Sequence, residues 1–138
     1  MRRVSRGPGA RVARSARIEV ARGARVVLGP DVVIGPEARV SAHGGTVKIG
    51  AGAHVGERAV IIAHQGVEIG EGAVVGDWAA IEDRAPAFDG PPVIRTRLVR
   101  VGAGARIGMH AVLEAGADVP PGATVEPYAV VREATSRS

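Results

Sequence analysis

The chain has 138 residues, three aromatic side chains (Trp78, Phe88 and Tyr128) and no cysteine. That length fits one domain. The missing thiols exclude disulfides, thiolate nucleophiles and cysteine metal sites, and no apolar run reaches the roughly 20 residues of a helical membrane span. The net charge of +4 is uneven, with about +7 in residues 1–25 and about −3 in the rest.

The N-terminal stretch holds eight arginines between Arg2 and Arg25, with Glu19 as its one acid. Such a segment suits nucleic acid or an anionic surface. No aromatic residue is interleaved to stack on bases, and 17 arginines to one lysine, with abundant Ala, Gly and Val, is the usage of a GC-rich bacterial genome. Nucleic acid is therefore not an expected partner. Residues 1–11 read as a basic arm. They lack the apolar stretch of a secretory signal, so the expected location is cytoplasmic.

From residue 12 to 131 an apolar anchor recurs every sixth position. One column holds Leu28, Ile49, Ile69, Val101 and Val119; a second Ile34, Val55, Val75, Ile107 and Val125; a third Val40, Ile61, Ile81, Leu113 and Val131. Successive rows lie 21, 20, 32 and 18 residues apart, so the unit is three hexapeptides with insertions. Gly follows most anchors in the first two columns, and Ala recurs four residues after them. A helix needs apolar residues at three- and four-residue spacing, which is absent, and this many glycines would penalise one. A triangular coil fits: three short strands per turn, anchors and small residues inward, and coils stacked by parallel pairing about 4.8 Å apart. One coil cannot bury its own apolar face, so several must stack. The expectation is an all-β single-stranded parallel β-helix of about five coils, with an inserted loop at 84–98 and a tail at 132–138.

The beat breaks after each third-column anchor, at "SAHGGT", "IAHQG" and "EDRAPAFDGPPVIRTRL". Three residues past those anchors lie His43, His64 and Arg84. Stacked anchors imply stacked breaks, so the pattern predicts an outward ridge at one corner, carrying two histidines, with the long loop leaving the next coil. Three residues past the second-column anchors lie Glu37, Arg58, Trp78, His110 and Tyr128. This outward column ends in three rings and suits a subunit interface or a shelf for adenine.

These repeats resemble the hexapeptide-repeat acyltransferase superfamily. The resemblance implies a left-handed β-helix, a homotrimer with sites between subunits, acetyl-CoA or another acyl-CoA as donor, and a small acceptor such as a sugar or amine. A histidine serves as general base in such enzymes, suited by a side-chain pKa near working pH. The long loop sits where maltose- and galactoside-type acetyltransferases carry that histidine, and Asp83 matches, but the histidine positions hold Arg84 and Pro86. The stretch Ile62-Ala63-His64-Gln65-Gly66-Val67-Glu68-Ile69-Gly70 is similar to the histidine segment of serine acetyltransferases, with Ala63 in place of their acid. His64 is thus the candidate base, with Asp83 or Asp89 to orient it. Arg84 is a candidate for an anionic acceptor or coenzyme phosphate. Phe88 would pack on a neighbouring subunit or line the acceptor pocket. The resemblance puts the coenzyme's pantetheine arm along the C-terminal coils, on Ala103, Ala105, Val130, Val131 and Arg132. His43 and His64 lack a third ligand at zinc spacing, so no metal is expected. The alternative function is a non-catalytic trimeric scaffold that has lost its loop histidine.

Overall fold

The computed structural model describes residues 3–87, 90–91 and 93–133. They form six stacked coils of three strands each. Coil one has β1 (Val4–Arg6), β2 (Arg11–Val12) and β3 (Arg17–Val20); coil two has β4 (Arg25–Leu28), β5 (Val33–Ile34) and β6 (Arg39–Ala42). Coil three has β7 (Thr46–Ile49), β8 (His54–Val55) and β9 (Val60–Ala63); coil four has β10 (Gly66–Ile69), β11 (Val74–Val75) and β12 (Ala80–Glu82). A hairpin of β13 (Arg84–Ala87) and β14 (Val93–Thr96) follows. Coil five is β15 (Val99–Val101), β16 (Arg106–Ile107) and β17 (Val112–Leu113); coil six is β18 (Asp118–Val119), β19 (Thr124–Val125) and β20 (Val130–Val131).

The strands make three six-stranded parallel sheets, the faces of a triangular solenoid. The first face starts with β1, the second with β2 and the third with β3. The coil beyond the expected five is coil one, the Arg-rich segment. β1 pairs with β4 in the register Val4↔Val26 and Arg6↔Leu28, so from Val4 onward the expected arm is a coil. Its first-column position holds Arg6 rather than an aliphatic residue, which hid the repeat there. The inserted loop is an antiparallel hairpin, with Arg84↔Thr96 and Ala87↔Val93. Among the described residues no helix is long and apolar enough to cross a membrane.

The core is the stacked anchors and alanines. Ile34, Ile49, Ile61, Ile81 and Leu113 are all but fully buried, as are Ala38, Ala59, Ala79 and Ala111. Small residues let neighbouring walls close to native packing density without rings. Glycine serves two distinct ends. After an anchor it permits close stacking: a Cβ on Gly50 would lie 2.7 Å from the Glu71 nitrogen of the next coil. Two residues on it permits the turn: Gly72 has φ +67° with nothing within 4 Å of a Cβ.

These two roles predict different costs. Gly50→Ala should destabilise by about 1–3 kcal/mol through overpacking and lower the melting temperature by several degrees. Gly72→Asn, a residue that tolerates left-handed backbone, should cost clearly less. Thermal unfolding of the two variants checks this.

Candidate active site

The corner between the third and first faces brings His43, His64 and Asp83 together. β6 and β9 end in inward-facing alanines, Ala42 and Ala63, which share register. Ile62 pairs with Glu82 in the next coil, so the residue below Ala63 is Asp83. Among the described residues the buried polar side chains are Ser41 and Asp83, and Asp83 is 0 % exposed.

Its surroundings explain that burial. At the coil-two corner the amides of His43 and Gly44 donate to the Ala63 carbonyl of the next coil, at 2.8 and 3.3 Å. The equivalent carbonyl one coil on is that of Asp83, but the chain leaves there, and this carbonyl accepts from Arg97 N–H at 2.9 Å, closing the base of the hairpin. The Asp83 side chain takes the vacated role. Oδ1 accepts from the His64 amide at 2.8 Å, and Oδ2 from the Gln65 and Gly66 amides, both at 2.7 Å. Three backbone donors, that of Gly66 buried and those of His64 and Gln65 part-buried, are satisfied by one carboxylate.

The His64 side chain then points outward. Its Nε2 lies 2.8 Å from Oε2 of Glu82, the next residue along face three in the following coil. A carboxylate only accepts, so Nε2 carries the proton of this bond, and in the neutral ring Nδ1 keeps its lone pair. The imidazole of His43 stacks on that of His64, centroids 5.1 Å apart and planes 18° apart. The expected ridge of two histidines is present, but the acid oriented to the ring is Glu82. Asp83, expected to orient the imidazole, fixes the backbone beneath it instead. Glu82 was missed because its nearness to His64 depends on cross-coil register.

Arg84 is exposed and opens β13, leaving the corner with the hairpin. Phe88 and Asp89 lie outside the described residues. Of the coenzyme candidates, Ala105 faces the core at 0 % exposure, with its amide bonded to the Gly102 carbonyl and its carbonyl to the Val74 amide. Val131 packs partly buried against the core. Val130 is exposed on the third face, near Arg132, which pairs with Glu114 at 3.0 Å. Ala103 lies elsewhere, in a groove of about 430 Å³ between the first and second faces. The structure therefore does not bring these five side chains onto one surface. Among the described residues no group of three His, Asp or Glu side chains is placed to hold a metal ion.

The outward column stands at the corner between faces two and three. Trp78 stacks on His110 at 5.6 Å and 8°, and His110 on Tyr128 at 4.9 Å and 4°. The Arg58 guanidinium covers the other end, 5.1 Å from the Trp78 ring, and is itself paired with Glu37. All five have left-handed backbone, with φ between 58° and 66°, which turns an amide back to the preceding coil, as from Trp78 to the Glu57 carbonyl at 2.9 Å. Bulky side chains are disfavoured there by roughly 1 kcal/mol each, so stacking offsets a real cost. Trp78 and Tyr128 remain 49 % and 68 % exposed.

No protein-family model matches the sequence, and no curated protein matches it. Solved structures do. AntD, an N-acyltransferase from Bacillus cereus, in complex with dTDP and 3-hydroxybutyryl-CoA, aligns at a TM-score of 0.81 and 19 % identity, over 94 % of this chain and 73 % of that one. The chain has the fold of the hexapeptide-repeat acyltransferases. A point mutant of AntD bound to dTDP and coenzyme A aligns at 0.70 and 17 % identity, over 94 % of this chain and 77 % of that one. The polysialic acid O-acetyltransferase OatWY aligns at 0.50 and 11 % identity, over 96 % and 80 %. At these identities the hexapeptide-repeat likeness is one of fold.

The Asp83 clamp predicts a large loss on truncation. Asp83→Ala would leave three amides without their acceptor, and the buried one of Gly66 is worth about 1–3 kcal/mol when stranded. Urea unfolding should register a loss of about 1–3 kcal/mol, and amide exchange at residues 64–66 should accelerate.

Proposed function

We propose that this hexapeptide-repeat solenoid is an acyltransferase that moves an acyl group from a coenzyme A thioester to a hydroxyl or amine of a small acceptor such as a sugar. The observation that carries the reading is the His64–Glu82 pair beside the hairpin. It supplies what proton removal needs: a ring nitrogen free to accept, on an imidazole held by a carboxylate through its other nitrogen. As the acceptor forms its bond to the acyl carbon, its proton passes to Nδ1 of His64, and from there to the departing thiol sulfur. Glu82 holds the ring in place through Nε2. The activities named for AntD and OatWY support the class of reaction, and the acyl-CoA in the AntD complex supports the donor.

The donor's arm is assigned to the C-terminal coils, where Val130 and Arg132 offer outward side chains. Arg84 and the hairpin around Phe88 and Asp89 would border the acceptor. The assembly is a homotrimer, with the Trp78–His110–Tyr128 column at the interface between copies. Such a column is a rigid apolar anchor of the kind interfaces favour.

Calorimetric titration with acetyl-CoA is the first test, and binding is expected. Absence of binding at millimolar concentration would leave the solenoid as a non-catalytic scaffold. With binding in hand, transfer to a panel of sugars and amines should fall about 10²–10⁴-fold in His64→Ala, and by a smaller factor in Glu82→Gln. Undiminished turnover in His64→Ala would remove it from the mechanism. A monomeric mass in solution would remove any site between subunits.

A further inference from the structure

The same corner holds a second feature, one coil away from the His64–Glu82 pair. Ala21 and His43 occupy equivalent positions in coils one and two, donating to the Ala42 and Ala63 carbonyls at 2.8 Å each. Where coils two and three carry imidazoles, coil one carries a methyl group. No described ring therefore stands on the side of His43 away from His64. On the adjacent outer face Ser41 lies in register below Glu19. Ser41 is small and buried, so Glu19 and Arg39 close over it. Ser41 Oγ donates to Glu19 Oε1 at 2.8 Å, and Arg39 Nε contacts the same oxygen at 3.0 Å and Ser41 Oγ at 3.1 Å. Between this cluster and His43 lies a groove of about 350 Å³, floored by Val20, Ala21 and Ala42.

The groove's chemistry is specific. Hydrogen bonds from Ser41 and Arg39 hold the Glu19 carboxyl below its usual range, helped by the charges of Arg39 and, more weakly, Arg17. Glu19 is thus a fixed acceptor. The bonds within the cluster use Oε1 and Nε, which leaves Oε2 as an acceptor and the terminal guanidinium nitrogens as donors. An acceptor and a donor side by side match two adjacent hydroxyls, one donating and one accepting. An anion would meet Glu19 and a cation Arg39, whereas a neutral polyol meets neither penalty. The small apolar floor and the imidazole face suit the C–H side of a sugar ring.

We infer that this groove is a binding subsite for a neutral sugar unit, adjoining the unit acylated at His64. The inference rests on the acyltransferase reading for the word acceptor, though not for the binding itself. A ligand on the far side of His43 stands two rungs from His64, given the 5.1 Å between the two rings, too far to be the reacting unit. The acceptor is then a disaccharide or longer glycoside, and contacts in the groove supply binding energy remote from the reacting centre.

The test is an amide NMR titration of the isotope-labelled protein, without coenzyme, with lactose, maltose and chitobiose, and with N-acetylneuraminic acid as the anionic comparison. At least one neutral disaccharide should shift the amides of Val20, Ala21, Ala42 and His43. Glu19→Gln and Arg39→Met should weaken that binding at least about tenfold while retaining the amide map and the acetyl-CoA affinity. Silence of these amides at about 10 mM of every sugar would overturn the proposal, as would shifts confined to another face or produced by the anionic sugar alone. Acetyl-CoA binding and turnover with a silent groove would sink the subsite alone. A responding groove without acetyl-CoA binding would sink the acyltransferase reading and leave the sugar site standing.

Discussion

Among the described residues, the strands of the coils pair with their counterparts one coil away, and β13 and β14 pair with each other. Many are two residues long, and alone such strands bury nothing and pair with nothing. Stability comes from uninterrupted stacking, which fixes what each position can be. Inward positions take aliphatic or alanine side chains because the interior is narrow. Positions after an anchor take glycine because the next coil's backbone passes at contact distance, as Glu71 does over Gly50. Where the chain must leave the stack to build the hairpin, the missing carbonyl has to be replaced. Asp83 replaces it with a side chain, and that substitution anchors the corner on which His64 is displayed.

Much of this was legible in the sequence because stacking writes itself as a period. The three anchor columns, the outward ring column and the shared corner of His43 and His64 all follow from counting sixes. What escaped the count depended on contacts between coils. The Arg-rich first coil was hidden because Arg6 occupies an anchor position at an end of the stack, where one neighbour is absent and a polar side chain costs little. Glu82 follows a third-column anchor, where glycine does not recur; only the pairing of Ile62 with Glu82 brings it to His64. Asp83 looked like a loop acid suited to orient an imidazole, yet it sits on an inward alanine position, and burial commits both its oxygens to backbone amides.

The functional account follows from this division of labour between two adjacent carboxylates. Asp83 holds the main chain and Glu82 holds the ring, so backbone and side chain of His64 are each fixed by a separate group. The hairpin that Asp83 makes possible rises beside them, and the open side of His43 continues the same corner toward coil one. His64, the hairpin and the groove thus lie along one edge of the solenoid, the arrangement that the proposed elongated acceptor needs. The ring column on the neighbouring edge lies one face away.

The central claim is that Glu82 sets the His64 imidazole so that Nδ1 is the proton acceptor. Long-range ¹H–¹⁵N correlation of the histidine rings in the neutral form measures this directly. The account predicts that His64 is an Nε2–H tautomer in the wild type and loses that preference in Glu82→Gln. A wild-type His64 protonated at Nδ1 would contradict it, because the ring would then face a carboxylate with a lone pair and have no free nitrogen to receive a proton.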